Sequence, residues 1–318
     1  MQDSQTHATG LHRAFVSGFA VWLLCMVQAV SQQSPDPLVE ARSLVAAGEL
    51  HRADTQLRAV LSAHPSSADA HFLLGYVLFR EQRPKDSLAE FTAGAAHARP
   101  RADDLKIVAS DYVMLGDYGD ADKWLTQVVV AAPDDADAWY LLGRTKFNED
   151  NFAAAASCFQ RALALRPNDI RAENNLGLAW LETSQTGKAK SAFQAAIDWQ
   201  GPHPLDAQPF LNLGTLLADE GSADKAIPYL QKASSLAPDN PKVHEELAKA
   251  YTRRSDWPMA QRELEFAVKL APKISALHFK LAQVYRKEGL QERAEKEFAI
   301  CAQLNSTHSS AETPNPPR

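Results

Sequence analysis

A chain of 318 residues with 45% hydrophobic residues carries enough apolar material to bury a core along most of its length, which excludes disorder as its default state. Its 33 Lys plus Arg against 39 Asp plus Glu leave a net charge of −6. That charge repels a phosphate backbone unless the basic residues share one stripe, so nucleic acid is not the expected partner.

At the N-terminus, His12 and Arg13 precede an apolar run from Ala14 to Val30, broken by Ser17, Gly18 and Gln28, and the next Lys or Arg is Arg42. This is the profile of a secretory signal peptide. The strongest stretch, Phe19 to Val27, is short for a bilayer span, which needs roughly 20 apolar residues. Val27-Gln28-Ala29 and Ala29-Val30-Ser31 offer cleavage sites, so residues 1–31 read as a signal peptide, with an uncleaved anchor as the alternative. Leu24 before Cys25 argues against lipid attachment. Either way the rest of the chain is expected outside the cytoplasm, secreted or periplasmic, and touching a membrane only through this segment if it is retained.

From residue 34 the chain repeats itself. Helix-stopping prolines stand at Pro65, Pro100, Pro133, Pro167, Pro238 and Pro272, and small residues at Ala53, Ser87, Ala121, Ala155, Ala189, Ala226, Ala260 and Ala294, 34 apart except for one interval of 37. Four residues after each small one comes Leu57, Phe91, Leu125, Phe159, Phe193, Leu230, Leu264 or Phe298, on the same helix face. Three further on, Val60, Gly94, Val128, Ala162, Ala196, Ala233, Ala267 and Cys301 complete an apolar stripe. This predicts the second helix of each unit. The first carries Leu74-Gly75, Leu142-Gly143, Leu176-Gly177 and Leu213-Gly214, with Leu247-Ala248 and Leu281-Ala282 as near equivalents. Glycine inside a helix costs about 1 kcal/mol relative to alanine, so its recurrence predicts close helix approach, the glycine meeting the small residue of its partner. In a linear stack Cys158 and Cys301 are too far apart to be bridged, and stability is expected from packing alone.

These residues resemble the tetratricopeptide repeat, whose pattern runs aromatic, Leu-Gly, Tyr, then Ala, Phe, Ala and a closing Pro. The best copy is Trp139, Leu142-Gly143, Ala155, Phe159, Ala162 and Pro167. Eight units cover 34–67, 68–101, 102–135, 136–169, 170–203, 207–240, 241–274 and 275–308, with Gly201-Pro202-His203-Pro204 lengthening one loop. The resemblance implies an all-α fold, a right-handed superhelical solenoid of helix-turn-helix units that binds a protein or peptide. Asp134, Asp169 and Asp239 are expected to cap the helices that follow them. The Ser, Thr, Pro and Asn-rich stretch after about Asn305 reads as a tail, with 309–318 disordered, and Asn305-Ser306-Thr307 formally matches a glycosylation acceptor.

No Gly-x-Ser-x-Gly, phosphate-cradling glycine loop or Cys-x-x-Cys occurs, so neither catalysis, a cofactor nor a small-molecule substrate is expected. Asp117, Asp120 and Asp122 suggest a calcium loop, but Asp122 stands where glycine is needed and Val128 where glutamate is needed. His71, His244 and His278 recur at the place of Trp139, which predicts packing between neighbouring units rather than metal binding.

The resemblance also implies that the first helices line the binding groove through their second, fifth, sixth, ninth, twelfth and thirteenth positions. In repeats 2 to 4 these are Phe72, Tyr76, Phe79, Arg80, Tyr140, Arg144, Phe147 and Asn148, and aromatics and arginine are the types enriched at binding hot spots. Asn174, Asn175 and Asn212 are expected to hydrogen-bond an extended peptide backbone. Lys249, Arg253, Lys280, Arg286 and Lys287 could hold an acidic segment or a terminal carboxylate. The expected function is a non-catalytic scaffold for a partner protein. Two alternatives are an envelope-anchored spacer in a larger assembly and a helper subunit of an enzyme such as a glycosyltransferase or protease.

Overall fold

The computed structural model describes residues 37–311, and among these every regular element is an α-helix. The signal-peptide reading, Cys25 and residues 312–318 lie outside the described residues. Sixteen helices form eight pairs: α1 Pro37–Ala46 with α2 Leu50–Ala63, α3 Ala68–Arg80 with α4 Pro84–Ala95, α5 Ala102–Met114 with α6 Tyr118–Ala131, α7 Ala136–Asn148 with α8 Phe152–Leu165, α9 Ile170–Glu182 with α10 Thr186–Asp198, α11 Gln208–Asp219 with α12 Ala223–Leu236, α13 Pro241–Arg253 with α14 Trp257–Leu270, and α15 Ser275–Lys287 with α16 Gln291–Ala311. Each first helix starts within three residues of its expected boundary. The described chain falls into two compact units, the first ending at Asp111 and the second starting at Tyr112. α16 runs to Ala311, past the expected start of the tail, because a formed helix extends at little cost per residue.

All eight residues of the small series are buried, and so are seven of the eight large ones, Phe298 being partly covered. The glycine contact differs from expectation. A Cβ on Gly75 would stand 2.8 Å from the Phe91 ring, on Gly143 2.7 Å from Phe159, on Gly177 2.5 Å from Phe193 and on Gly214 2.6 Å from Leu230. Glycine therefore makes room for the large residue of its partner helix, not the small one. Ser87 instead sits beside the carbonyl of Gly75, Oγ to O 2.8 Å.

Every pair is joined by a turn of three residues, and the middle one always has positive φ: Gly48, Gln82, Gly116, Asp150, Ser184, Gly221, Ser255 and Gly289. The residue after it donates its N–H to the carbonyl five back, as Gln185 to Trp180 at 2.7 Å and Asp256 to Tyr251 at 2.9 Å, closing the helix end. The caps need correction by one residue. Asp169 does cap α9, but α7 is capped by Asp135 rather than Asp134 and α13 by Asn240 rather than Asp239. The residue that caps must directly precede the first helical residue, where its side chain reaches the free N–H groups. Asp117 caps α6, Asp120 pairs with Lys123 and Asp122 with Lys146, which accounts for the three aspartates by local bonds.

The three histidines share one geometry. His71 places Nε2 2.9 Å from the Pro65 carbonyl and Nδ1 2.7 Å from Glu90; His244 does the same with Pro238 and Glu263, and His278 with Pro272 and Glu297. A carbonyl only accepts, so Nε2 carries a hydrogen in each. Trp139 donates Nε1–H to the Pro133 carbonyl at 3.0 Å in the same way. These rings thus tie the first helix to the preceding loop, as packing between units predicts, and the histidines also tie it to the second helix of their own unit.

Candidate functional site

Within the second unit, α7, α9, α11, α13 and α15 are linked in succession by side chains on one face. Asn175 donates to the Tyr140 hydroxyl at 3.1 Å, and Asn212 donates to Asn174 Oδ1 at 2.8 Å. Lys249 and Arg253 reach back to Asp219 at 2.7 and 3.2 Å, and Lys280 to Glu245. Each rung crosses from one repeat to the next, so the face is held in shape before any ligand arrives.

Two clefts open on it. The first, about 330 Å³, lies over α9 and α11 and is lined by Leu178, Leu181, Leu211, Thr215 and Leu216, with Gln208, Asn212, Asp219 and Lys242 as its polar groups. The second, about 510 Å³, lies over α13 and α15. Its floor is Ala248, Trp257, Leu264 and Val284, and its rim carries Lys249, Arg253, Lys280, Arg286 and Lys287 against the carboxylate of Glu245. Burial pushes the Glu245 carboxyl up, but Lys280 and Lys242 outweigh it and hold it below its ordinary range. Burial likewise pulls the Lys249 ammonium down, and Asp219 with Glu246 more than restores it. Glu245 and Lys249 therefore both keep their charges at neutral pH. In the first unit a smaller cleft of about 250 Å³ lies against Phe72, Tyr76 and Arg101.

Comparison with known proteins agrees with this frame. A family model described as the tetratricopeptide repeat matches residues 38–103 and 245–304, and one described as the middle TPR-like domain of cilia and flagella-associated protein 70 matches 105–237. The chain is a member of the tetratricopeptide-repeat family. A solved tetratricopeptide-repeat protein from Parabacteroides merdae superposes with a TM-score of 0.62 at 16% identity, covering 78% of this chain and 97% of that one. The tetratricopeptide repeat-containing protein trd-1 of Caenorhabditis elegans is 24% identical over 212 residues, 65% of this chain and 26% of its own. The BBSome complex member BBS4 of Mus musculus is 31% identical over 134 residues, 41% of this chain and 25% of its own. The chain thus spans about a quarter of the length of these two relatives. Tetratricopeptide-repeat proteins as a class bind protein partners.

On this tetratricopeptide-repeat frame the expected groove residues divide into three groups. Arg144, Asn148, Arg253, Arg286 and Lys287 are exposed, and Lys249 and Lys280 are half-buried at the cleft rim. Tyr76, Tyr140 and Phe147 are half-buried: Arg80 donates to the Tyr76 hydroxyl at 2.8 Å, Arg171 covers the Tyr140 ring, and Phe147 meets Phe152 edge-on. Phe72 and Asn174 are corrections, being 5% and 6% exposed. Phe72 turns inward because Gly94 leaves space for its ring, and Asn174 because its oxygen accepts from Asn212. Asn175 and Asn212 lie on the face, but each is committed to a neighbouring repeat.

Sequence reasoning missed Leu178, Leu181, Thr215, Asp219, Glu245 and Trp257. Leu178 and Leu181 occupy the ninth and twelfth positions of repeat 5 and Thr215 the ninth of repeat 6, so the same count that gave Tyr76 and Arg144 reaches them. Trp257 opens a second helix, where a count along first helices has no reach.

Proposed function

We propose that this chain is a non-catalytic scaffold, working outside the cytoplasm, that holds an extended segment of a partner protein along the first-helix face of repeats 5 to 8. The observation that carries the reading is the pair of clefts on one face of the second unit, one walled by leucines and one rimmed by cations, joined through Asp219 and Lys249. A face already cross-linked by side chains loses little freedom on binding, and apolar pockets with a few fixed polar groups are what recognition of a partner uses. The location rests on the charge and length profile of residues 1–31 and asks for N-terminal sequencing of the mature protein, where a chain starting at Met1 would count against cleavage.

The test of the binding reading is site-specific photo-crosslinking in the native cell, with p-benzoylphenylalanine at Thr215 on the face and at Lys232 on the exposed side of α12. Adducts at Thr215 that are missing at Lys232 are expected. Adducts only at Lys232 would move the interface to the second helices and end this proposal.

A further inference from the structure

Resting on that scaffold reading, we infer that the cleft over α13 and α15 docks an acidic peptide segment that carries one large apolar side chain. The chain as a whole has a net charge of −6, yet this cleft presents five cations and the one carboxylate of Glu245. Asp219 engages Lys249 and Arg253, and Glu245 engages Lys280, so those three cations are partly neutralised from within. Arg286 and Lys287 differ. Neither has a carboxylate within ion-pair distance among the described residues; the Arg286 guanidinium lies over the Phe298 ring, 5.9 Å from its centroid, and the Lys287 ammonium 6.0 Å from that of Trp257. An aromatic face restrains a cation without cancelling its charge, so two exposed cations are held in place and left open to an anion.

Beneath them the floor is apolar. Half-buried Trp257, backed by the buried side chains of Ala248, Leu264 and Val284, offers apolar surface that an inorganic anion would leave uncovered, and about 510 Å³ is room for a large side chain with the backbone on either side of it. A peptide with carboxylates flanking one Phe, Leu or Met covers the floor and meets Arg286 and Lys287 at once. Nucleic acid fits less well, because its backbone needs basic residues continued along a stripe, and the neighbouring cleft is lined by leucines and Asp219.

The experiment measures binding of a short fluorescent peptide, Asp and Glu around a single Phe, with both ends blocked so that no terminal carboxylate contributes. The protein is the full chain, alone and as Arg286→Glu with Lys287→Glu, both exposed positions; Arg286→Gln with Lys287→Gln serves as a second variant, and circular dichroism confirms the fold of each. The acidic peptide is expected to bind the native chain, to weaken with salt, and to lose about tenfold or more in affinity on charge reversal. Replacing its Phe by Ser should weaken it similarly, and its Lys-for-Glu counterpart should not bind. Equal binding of acidic and basic peptides, no effect of charge reversal, no effect of removing the Phe, or displacement by a single-stranded oligonucleotide at lower concentration would each overturn the proposal. Failure here with crosslinks retained at Thr215 removes only the acidic specificity; loss of those crosslinks removes the scaffold reading itself.

Discussion

Repeats 2 and 3 can be set beside repeats 4 and 5, because the same two core addresses are filled in opposite ways. In the first region they are Ser87 and Asp111; in the second, Ala155 and Ala179, and all four are 0% exposed. Ser87 is the one polar member of the small series, and Asp111 stands where Val77, Thr145, Ala179, Leu216, Ala250 and Val284 stand elsewhere. The two departures coincide because they touch. Ser87 Oγ is 2.8 Å from the Gly75 carbonyl and 2.6 Å from Asp111 Oδ2, and a hydroxyl has one hydrogen for two acceptors. The second hydrogen is present when Asp111 is protonated. Burial pushes this carboxyl up to about 7, more than the Ser87 hydrogen bond lowers it, and its Oδ1 is buried without a partner. The repeat thus accepts polar atoms in its core when they bond to each other and one gives up its charge.

The comparison assumes that both regions share one frame, set by rings lodged over glycines. Phe91→Ala and Phe159→Ala should each cost about 3–5 kcal/mol in chemical denaturation, since a buried ring is removed and a cavity remains. A loss at one site several times that at the other would show the frames to be unlike and break the comparison.

The next test acts on the polar pair itself. Between pH 4 and about 7 the unfolded chain releases the Asp111 proton while the folded chain keeps it, so stability falls as pH rises through that window. The stabilising contribution of Asp111 is complete below the window and fully lost above it. Ser87→Ala with Asp111→Val, the filling seen at other repeats, should abolish this slope and stabilise the protein at pH 8 by about 1–3 kcal/mol. Thermal melting and amide exchange in α4 across pH 4–8 would show it. The same slope in wild type and double variant would mean that the carboxyl is ionised in the folded state.

A third contrast lies at the edge of the same regions, where His71 and Glu90 occupy the addresses of Trp139 and Cys158. Both rings bond the preceding loop, but only the histidine has a second nitrogen for a carboxylate. His71→Trp alone strands Glu90, and a double-mutant cycle with Glu90→Cys should give a coupling of about 0.5–2 kcal/mol. A coupling near zero would reduce the His71 to Glu90 contact to a surface ion pair of no consequence.

How much of this the chain disclosed depends on distance along it. The register of the helices, the small and large stripes and the glycines were legible because each repeats at a fixed interval and serves the local helix. The partner of each glycine was not, since the choice between a small residue and a ring depends on the angle at which two helices cross. The Ser87 and Asp111 contact was hidden by crossing two repeats, although two exceptions to one pattern falling in adjacent units were a signal. The histidines left a plainer one: each is followed 19 residues later by Glu90, Glu263 or Glu297. For the groove, position counting found the cations and missed the floor, because Trp257 comes from the other helix of the pair.

The finest test of a shared frame is the turn within each repeat, where Gln82 holds φ at 61° and Asp150 at 58°. Both positions belong to glycine in four of the eight turns, and both side chains are exposed, so replacing either removes no core contact. A left-handed conformation costs an ordinary residue about 1–2 kcal/mol, and less for Asp, whose short polar side chain bonds locally. Against this, glycine gives the unfolded chain extra freedom worth about 0.5–1 kcal/mol. The two nearly balance for Asp150→Gly, which should leave the melting temperature unchanged, whereas Gln82→Gly should stabilise by about 0.5 kcal/mol. If Gln82→Gly destabilised instead, its side chain would hold the turn by a contact of its own, and repeats 2 and 4 would differ in how they turn as well as in what they bury.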